Sequence, residues 1–182
     1  MRKWNLKKQD DTIVRDLSKA LSCPDFFSRI LYNRGLTRVE EVERFLNIDS
    51  SLLYDPFMFK DMDAVVRRIG DAVRLKQRIL VYGDYDVDGI TATGLLIQAL
   101  TELGGIADYY IPSRFTEGYG LNMEAIHTAA ENGTKLLITV DTGITAVSEV
   151  EEAKRLGMDV IITDHHECQE SVPDTLILNP KY

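Results

Sequence analysis

The 182 residues are 45% hydrophobic and 27% charged, enough apolar material for one core in one domain of ordinary size, with or without a small extension. No apolar stretch approaches the ~20 residues of a membrane span, and the basic start Met1–Lys8 has no apolar segment to make it a secretory signal. Cys23 and Cys168 are too few for a disulfide framework, so a reducing, cytoplasmic setting without a membrane partner is expected, while the net charge of −8 speaks against binding nucleic acid by bulk electrostatics.

Residues 1–60 read as a region of short helices. Asp11 to Leu21 carries Ile13, Val14, Leu17 and Leu21 at helical spacing, and Pro24 opens a second helix through Leu31. Thr37-Arg-Val-Glu40 has the form of a capping box ahead of Val42, Phe45 and Leu46. Asp55-Pro56 marks a turn, and a longer helix follows with Met62, Val65, Val66, Ile69 and Val73 on one face.

From Arg78 the pattern alternates between strand and helix. Strands are predicted at Ile79–Tyr82, Ala107–Ile111, Leu136–Val140, Val160–Thr163 and Leu176–Leu178. Helices are predicted at Thr91–Leu103, Asn122–Asn132 and Thr145–Leu156, with Gly104, Gly133 and Gly157 as their stops. This alternation predicts an α/β domain over residues 61–182, a mostly parallel sheet with helices on both faces. Such sheets bind ligands beyond the carboxyl ends of their strands. The sequence stops at Asn179-Pro-Lys-Tyr182, straight after a strand and without a covering helix, which reads as a cut edge.

Three of the strand-like runs end in acids. Ile79–Tyr82 leads into Asp84-Tyr-Asp86-Val-Asp88-Gly89, Leu136–Val140 into Asp141-Thr-Gly143, and Val160–Thr163 into Asp164-His165-His166-Glu167. Like charges crowded at one point repel, and a bound cation relieves that cost. The three ends therefore read as one metal site, and divalent ions there would reverse the local sign of the acidic chain. In Asp164-His165-His166 the two imidazoles offer a nitrogen ligand and a group facing substrate, with the acid to orient a ring.

Competing readings of the first motif fail on particular residues. A calcium-binding EF-hand loop needs a bidentate Glu at its twelfth position and a helix before it, whereas Leu95 stands there and a strand precedes. The nucleophile motif of haloacid-dehalogenase phosphatases usually has Thr where Ile90 stands, and it leaves Asp164-His165-His166 unexplained. A solvated acidic turn ahead of a helix dipole accounts for one motif alone, but not for three strand ends.

The loop Ile111-Pro-Ser-Arg114-Phe-Thr-Glu-Gly118-Tyr119-Gly120 opens onto the same sheet edge. Arg114 is a candidate to fork onto a phosphate and Tyr119 to stack or hydrogen-bond. An ordinary loop salt bridge from Arg114 to Glu117 is the alternative, and both readings stand. His127, on a helix, reads as a surface or packing residue, and the Cys168 thiol does not suit an oxygen-rich site.

With these residues in view the chain resembles the DHH phosphoesterase family and, within it, the bacterial single-strand-specific DNA exonucleases. Tyr82-Gly-Asp-Tyr-Asp-Val-Asp-Gly-Ile-Thr91 is similar to the first family motif, Val140-Asp141-Thr-Gly143 to the second and Asp164-His165-His166 to the third. Ile111-Pro-Ser-Arg114 with Gly118-Tyr-Gly120 resembles the loop of the exonuclease branch. Asn33-Arg34-Gly35, Phe45-Leu46, Asp55-Pro56 and Asp61-Met62 extend the likeness through the lead-in.

The resemblance implies two-metal phosphodiester hydrolysis of single-stranded DNA from the 5′ end, in repair and recombination. It implies two manganese ions, with magnesium as a substitute, about 3.5–4 Å apart across the displacement. Asp141 is expected to bridge them and to be catalytic for that reason. Asp86 and Asp88 are expected to favour one ion each, Asp84 to bind directly or one layer out, and His165 to supply nitrogen. His166 is expected to face the scissile phosphate, beside Arg114 and Tyr119 as substrate-binding residues. A DHH enzyme of short oligonucleotides, cyclic dinucleotides or pyrophosphate, or a non-catalytic binding fragment, would share these residues. DNA-repair proteins are compatible partners that no residue names. The family's fourth-motif aspartate, its DHHA1 companion domain and the oligonucleotide-binding fold of the exonucleases have no counterpart in the sequence. These 182 residues are therefore expected to fold but to hydrolyse DNA poorly.

Overall fold

The computed structural model describes residues 7–47 and 49–182; of the basic start read above, residues 1–6 lie outside them. The chain divides into two compact units, Met1–Tyr54 and Asp55–Tyr182. Among the described residues no helix is long and apolar enough to cross a membrane.

The first unit holds α1 (Asp11–Ala20), α2 (Asp25–Asn33) and α3 (Val39–Leu46). Their apolar spacings meet in a small core of Leu17, Leu31 and Val42, with Ile13, Leu21, Phe27, Leu36 and Val39 packed around it. The capping box falls one residue later than the sequence suggests. Glu41, not Glu40, reaches back to the backbone N–H groups of Thr37 and Arg38 at 3.4 and 3.3 Å. The Arg38 guanidinium forks onto Glu41 at 2.8 and 2.6 Å and draws it there.

The second unit opens with a 3-10 turn at Pro56–Met58 and continues with α4 (Met62–Arg74), β1 (Arg78–Gly83), α5 (Val87–Glu102), β2 (Ile106–Tyr110), α6 (Met123–Glu131), β3 (Thr134–Val140), α7 (Val147–Arg155), β4 (Asp159–Thr163) and β5 (Leu176–Leu178). The five strands form one sheet in the order β2-β1-β3-β4-β5, and every pair is parallel. This is the expected α/β architecture.

Alternation along each strand feeds two cores, because successive side chains point to opposite faces. Ile79 and Val81 of β1, with Leu136 and Ile138 of β3, pack against Val65 and Ala72 of α4 and Leu100 of α5. Leu80, Tyr82, Leu137, Val160 and Ile162 pack on the other face against α6 and α7 through Ala125, Ile126, Val150 and Ala153. Nearly continuous burial along β1, β3 and β4 is what a sheet covered on both sides requires.

α5 starts four residues before the predicted Thr91. Asp86 supplies its N-cap, its Oδ1 accepting the N–H groups of Asp88 and Gly89 at 2.9 and 3.0 Å. The remaining predicted ends of the second unit lie within two residues of those observed.

Candidate metal centre

Three parallel strands bring their carboxyl ends side by side, and register fixes how closely. Gly83 of β1 lies opposite Val140 of β3, and Val140 lies opposite Thr163 of β4. The next residues, Asp84, Asp141 and Asp164, therefore leave the sheet at one level.

After β1 the chain turns tightly into α5. Asp84 is buried, and its Oδ1 accepts the Tyr85 N–H at 2.7 Å. The turn is possible because residue 89 is glycine. A Cβ there would stand 2.4 Å from the Asp84 carbonyl oxygen and 2.6 Å from its nitrogen. Asp86 projects from the N-cap of α5, where unpaired N–H groups and the helix dipole favour a negative charge. The Gly89 N–H foremost, and then the Asp88 N–H, hold the Asp86 carboxyl below its ordinary range.

Asp141 follows β3 with φ of 61°, in the left-handed region where non-glycine residues are uncommon and Asp is among the better tolerated. Its N–H donates to the Thr163 carbonyl at 2.9 Å, which holds the strained residue in place. Burial, and then the negative charge of Asp86, push its carboxyl up; the His165 ring opposes them. His165 Nε2 lies 2.8 Å from Asp141 Oδ1.

After β4, Asp164 is buried among donors. Its Oδ2 accepts the Ile144 N–H at 2.9 Å, and its Oδ1 meets the N–H groups of His165 and His166 and, at 2.7 Å, His166 Nδ1. Burial raises its carboxyl, but these donors together hold it below the ordinary range. Asp164 thus fixes the His166 ring. The buried Asn179, at the end of β5, donates to the His166 carbonyl at 3.0 Å and ties the histidine turn down from the other side.

Two triads result. Asp84, Asp86 and Asp141 offer one ligand atom each, all within 4.8 Å of one another, and so do Asp141, His165 and His166. Asp141 belongs to both. A donor set of carboxylates with imidazole fits a divalent ion such as manganese. Asp88, in the first turn of α5 and exposed, stands in neither triad.

The loop 111–121 lies over the same edge. Glu117, the acid that a loop salt bridge with Arg114 requires, is committed elsewhere. It accepts from the Tyr110 hydroxyl, the Ser113 N–H at 2.7 Å and Asn122 Nδ2 at 3.0 Å. The Tyr110 bond foremost holds its carboxyl below the ordinary range. Tyr82 of β1 donates to the Gly120 carbonyl at 2.9 Å and completes the anchorage. Arg114 has no ion-pair partner among the described residues; its guanidinium lies over the Tyr85 ring, 5.3 Å from the centroid. The Tyr119 hydroxyl lies 3.3 Å from His166 Nδ1.

Of the residues singled out from sequence, Asp84, Asp86, Asp141, His165 and His166 are gathered, with Tyr119 beside them and Arg114 farther along the loop. His127 pairs instead with Glu152 at 2.8 Å, and Cys168 packs against the core. Tyr85, Glu117 and Asn179 were not singled out for these contacts. Tyr85 carried a signal, an aromatic between two candidate ligands, whereas Glu117 and Asn179 act through partners distant in sequence.

Residues 78–182 match the DHH family, N-terminal domain. The chain belongs to the DHH family. It is similar to the single-stranded-DNA-specific exonuclease RecJ of Bacillus subtilis strain 168, 42% identical over 180 residues, which are 98% of this chain and 23% of that protein. It is also similar to the RecJ of Thermus thermophilus solved in complex with Mn2+, with a TM-score of 0.71 and 30% identity over 96% of this chain and 24% of that one. The same protein solved with Mg2+ matches at a TM-score of 0.53 and 27% identity, over 88% and 19% of the two chains. The chain thus spans about a quarter of the length of these DHH relatives.

Proposed function

We propose that this DHH chain carries the metal centre of a RecJ-like exonuclease that hydrolyses single-stranded DNA from its 5′ end, in DNA repair and recombination. The observation that carries the reading is the pair of triads sharing Asp141 at three strand ends. The RecJ relatives, named as single-stranded-DNA-specific exonucleases, supply the substrate class. Residues 61–182 are proposed as the phosphoesterase domain and 1–60 as its helical lead-in. The two free cysteines fit a cytoplasmic setting.

Asp84, Asp86, Asp141 and His165 are the proposed ligands of two manganese ions, with magnesium as a substitute, and Asp141 is the ligand common to both. Asp88, expected from the sequence to favour one ion, is exposed on the first turn of α5 and outside both triads, and is left out of the set. Bound divalent ions supply Lewis acidity toward a phosphodiester and its attacking water. The chain supplies position. Gly89 lets Asp84 and Asp86 converge, the Thr163 carbonyl holds Asp141, and Asp164 with Asn179 fixes the histidine turn. His166, its Nδ1 engaged by Asp164, is proposed to orient the scissile phosphate or pass a proton to the leaving oxygen. Arg114 and Tyr119 are proposed to hold the strand.

The test is digestion of a 5′-labelled single strand in manganese, beside a dinucleotide, a cyclic dinucleotide and pyrophosphate. It is run on this chain and on a protein of the relatives' full length carrying it. Metal-dependent release from the single strand, abolished by Asp141→Asn, is expected of the longer protein. Preference for a small substrate would overturn the exonuclease reading and keep the metal centre. Turnover undiminished by Asp141→Asn would overturn both.

A further inference from the structure

We propose that Tyr85 is a positioning residue that aims the Arg114 guanidinium at a phosphate of the bound strand, an inference resting on the nuclease reading above. The contact is between the ring face and the cation: Arg114 Cζ stands 5.3 Å from the Tyr85 centroid. Tyr85 meets Tyr119 edge-on at 6.4 Å between centroids, and Tyr119 meets His166 in the same manner at 5.8 Å. An unbroken line of rings therefore runs from Arg114 to the histidine turn of the metal centre.

An exposed arginine samples many rotamers, and one without a carboxylate partner has little to select among them. Two features of the fold act on Arg114. Glu117 is withdrawn from it by Tyr110, Ser113 and Asn122, so its charge is left for a ligand. The Tyr85 ring face then attracts the cation and narrows the positions it samples, in a contact that needs no oxygen acceptor and so leaves N–H donors for phosphate oxygens. Tyr85 is itself fixed from both sides, its N–H on the Asp84 carboxylate at 2.7 Å and the residue after it capping α5. The alternation Asp84-Tyr85-Asp86 thus sends two carboxylates to the metal centre and the ring between them to the phosphate loop. One tripeptide sets both.

Two measurements on the 182-residue chain test this, the first in magnesium, which is diamagnetic, and the second in manganese. The first is the NMR shift of the Arg114 side-chain Nε–Hε group, which the ring current of Tyr85 displaces. The second is the affinity for a 5′-phosphorylated single-stranded oligonucleotide across a salt series, measured also on a protein of the relatives' full length carrying the chain. Tyr85→Leu should move the resonance toward its random-coil position and weaken binding about three- to fivefold, and Tyr85→Phe should restore both. Arg114→Ala should weaken binding about tenfold and lower the salt slope by about one unit. Tyr85→Leu added to Arg114→Ala should cost nothing more, and manganese affinity should be unchanged throughout. An Arg114 resonance indifferent to Tyr85→Leu, or two losses that simply multiply, would overturn the positioning role while leaving the nuclease reading intact. A wild-type chain of the longer protein that holds no strand, with the resonance still dependent on Tyr85, would overturn the nuclease reading and the purpose assigned to the contact.

Discussion

Asp141 belongs to both triads, so its replacement should erase both metal responses, while replacement of Asp84 should erase one. Asn is the substitution of choice, because it tolerates the left-handed backbone that Asp141 adopts at φ of 61°. For a unit of about 130 residues, an unfolding entropy near 2.1 cal/mol/K per residue gives roughly 0.27 kcal/mol/K, so each kcal/mol moves Tm by about 4 °C. A cation present at a hundred times its Kd adds about 2.7 kcal/mol. Each site is then worth about 10 °C and two sites about 20 °C.

The metal-free proteins should differ little. Removing one of several carboxylates within 4.8 Å of each other relieves about 1 kcal/mol of repulsion at the dielectric of water. The variant loses the pairing of Asp141 with a largely exposed His165, worth less than about 1 kcal/mol. Calorimetry in chelator and then across a manganese titration should show Asp141→Asn melting near wild type without metal and gaining almost nothing with it. Asp84→Asn should keep about half of the gain. If Asp141→Asn retained both increments, or if Asp84→Asn lost both, the sharing of Asp141 between two ions would be refuted.

Gly89→Ala should destabilise the second unit by about 3 kcal/mol in urea unfolding, because the added Cβ meets the Asp84 backbone at 2.4–2.7 Å and backbone cannot yield; a loss below about 1 kcal/mol would show that α5 can shift at little cost. Glu117→Gln should strip hydrogen-exchange protection from the Ser113 amide, which donates to Glu117 at 2.7 Å. In the wild type the folded carboxyl lies below its unfolded range, so the clamp is fully present above about pH 4.3 and is released as pH falls through the lower folded value; protection that faded between pH 7 and 5 would contradict this. Thr142→Val should be neutral or stabilising by up to about 1 kcal/mol, since the buried Thr142 hydroxyl has no well-formed hydrogen bond among the described residues; a clear loss of stability on thermal unfolding would reveal a partner in solution, with the Tyr119 hydroxyl the first candidate.

The sheet and the gathering of acids were legible because they rest on local periodicity and on the rule that parallel strands aim their ends one way. Contacts that depend on distant partners were not. The Arg114–Glu117 pairing is reasonable at a spacing of three, yet Glu117 finds Tyr110 at the end of β2 and Asn122 at the cap of α6. α5 begins earlier than its apolar periodicity suggests because Asp86, a ligand candidate by its motif, is also the N-cap of the helix. That same cap explains why Asp88 stands outside both triads. Two residues along a helix turn a side chain by about 200°, so an alternation that would share one face on a strand is split on a helix.

The centre is assembled before any ion arrives, and its cost falls on few residues. Asp84, Asp86 and Asp141 each have one oxygen bound to the fold, on the Tyr85 N–H, on the Asp88 and Gly89 N–H groups, and on His165 Nε2. Side-chain freedom is therefore already reduced, and an incoming cation need not freeze three loose carboxylates. What it has to break is the Asp141–His165 pair, an exchange of a weak, half-exposed contact for coordination. The Asp164–His166 pair is buried on its acid side and supported by three backbone N–H groups, so it persists while the first is exchanged. The two neighbouring histidines are thereby separated by their surroundings: His165 is held by a bond that a metal can replace, and His166 by one that it cannot. That difference in anchorage, more than the ring chemistry the two share, is what fits His165 to its proposed role as ligand and His166 to its proposed hold on a phosphate.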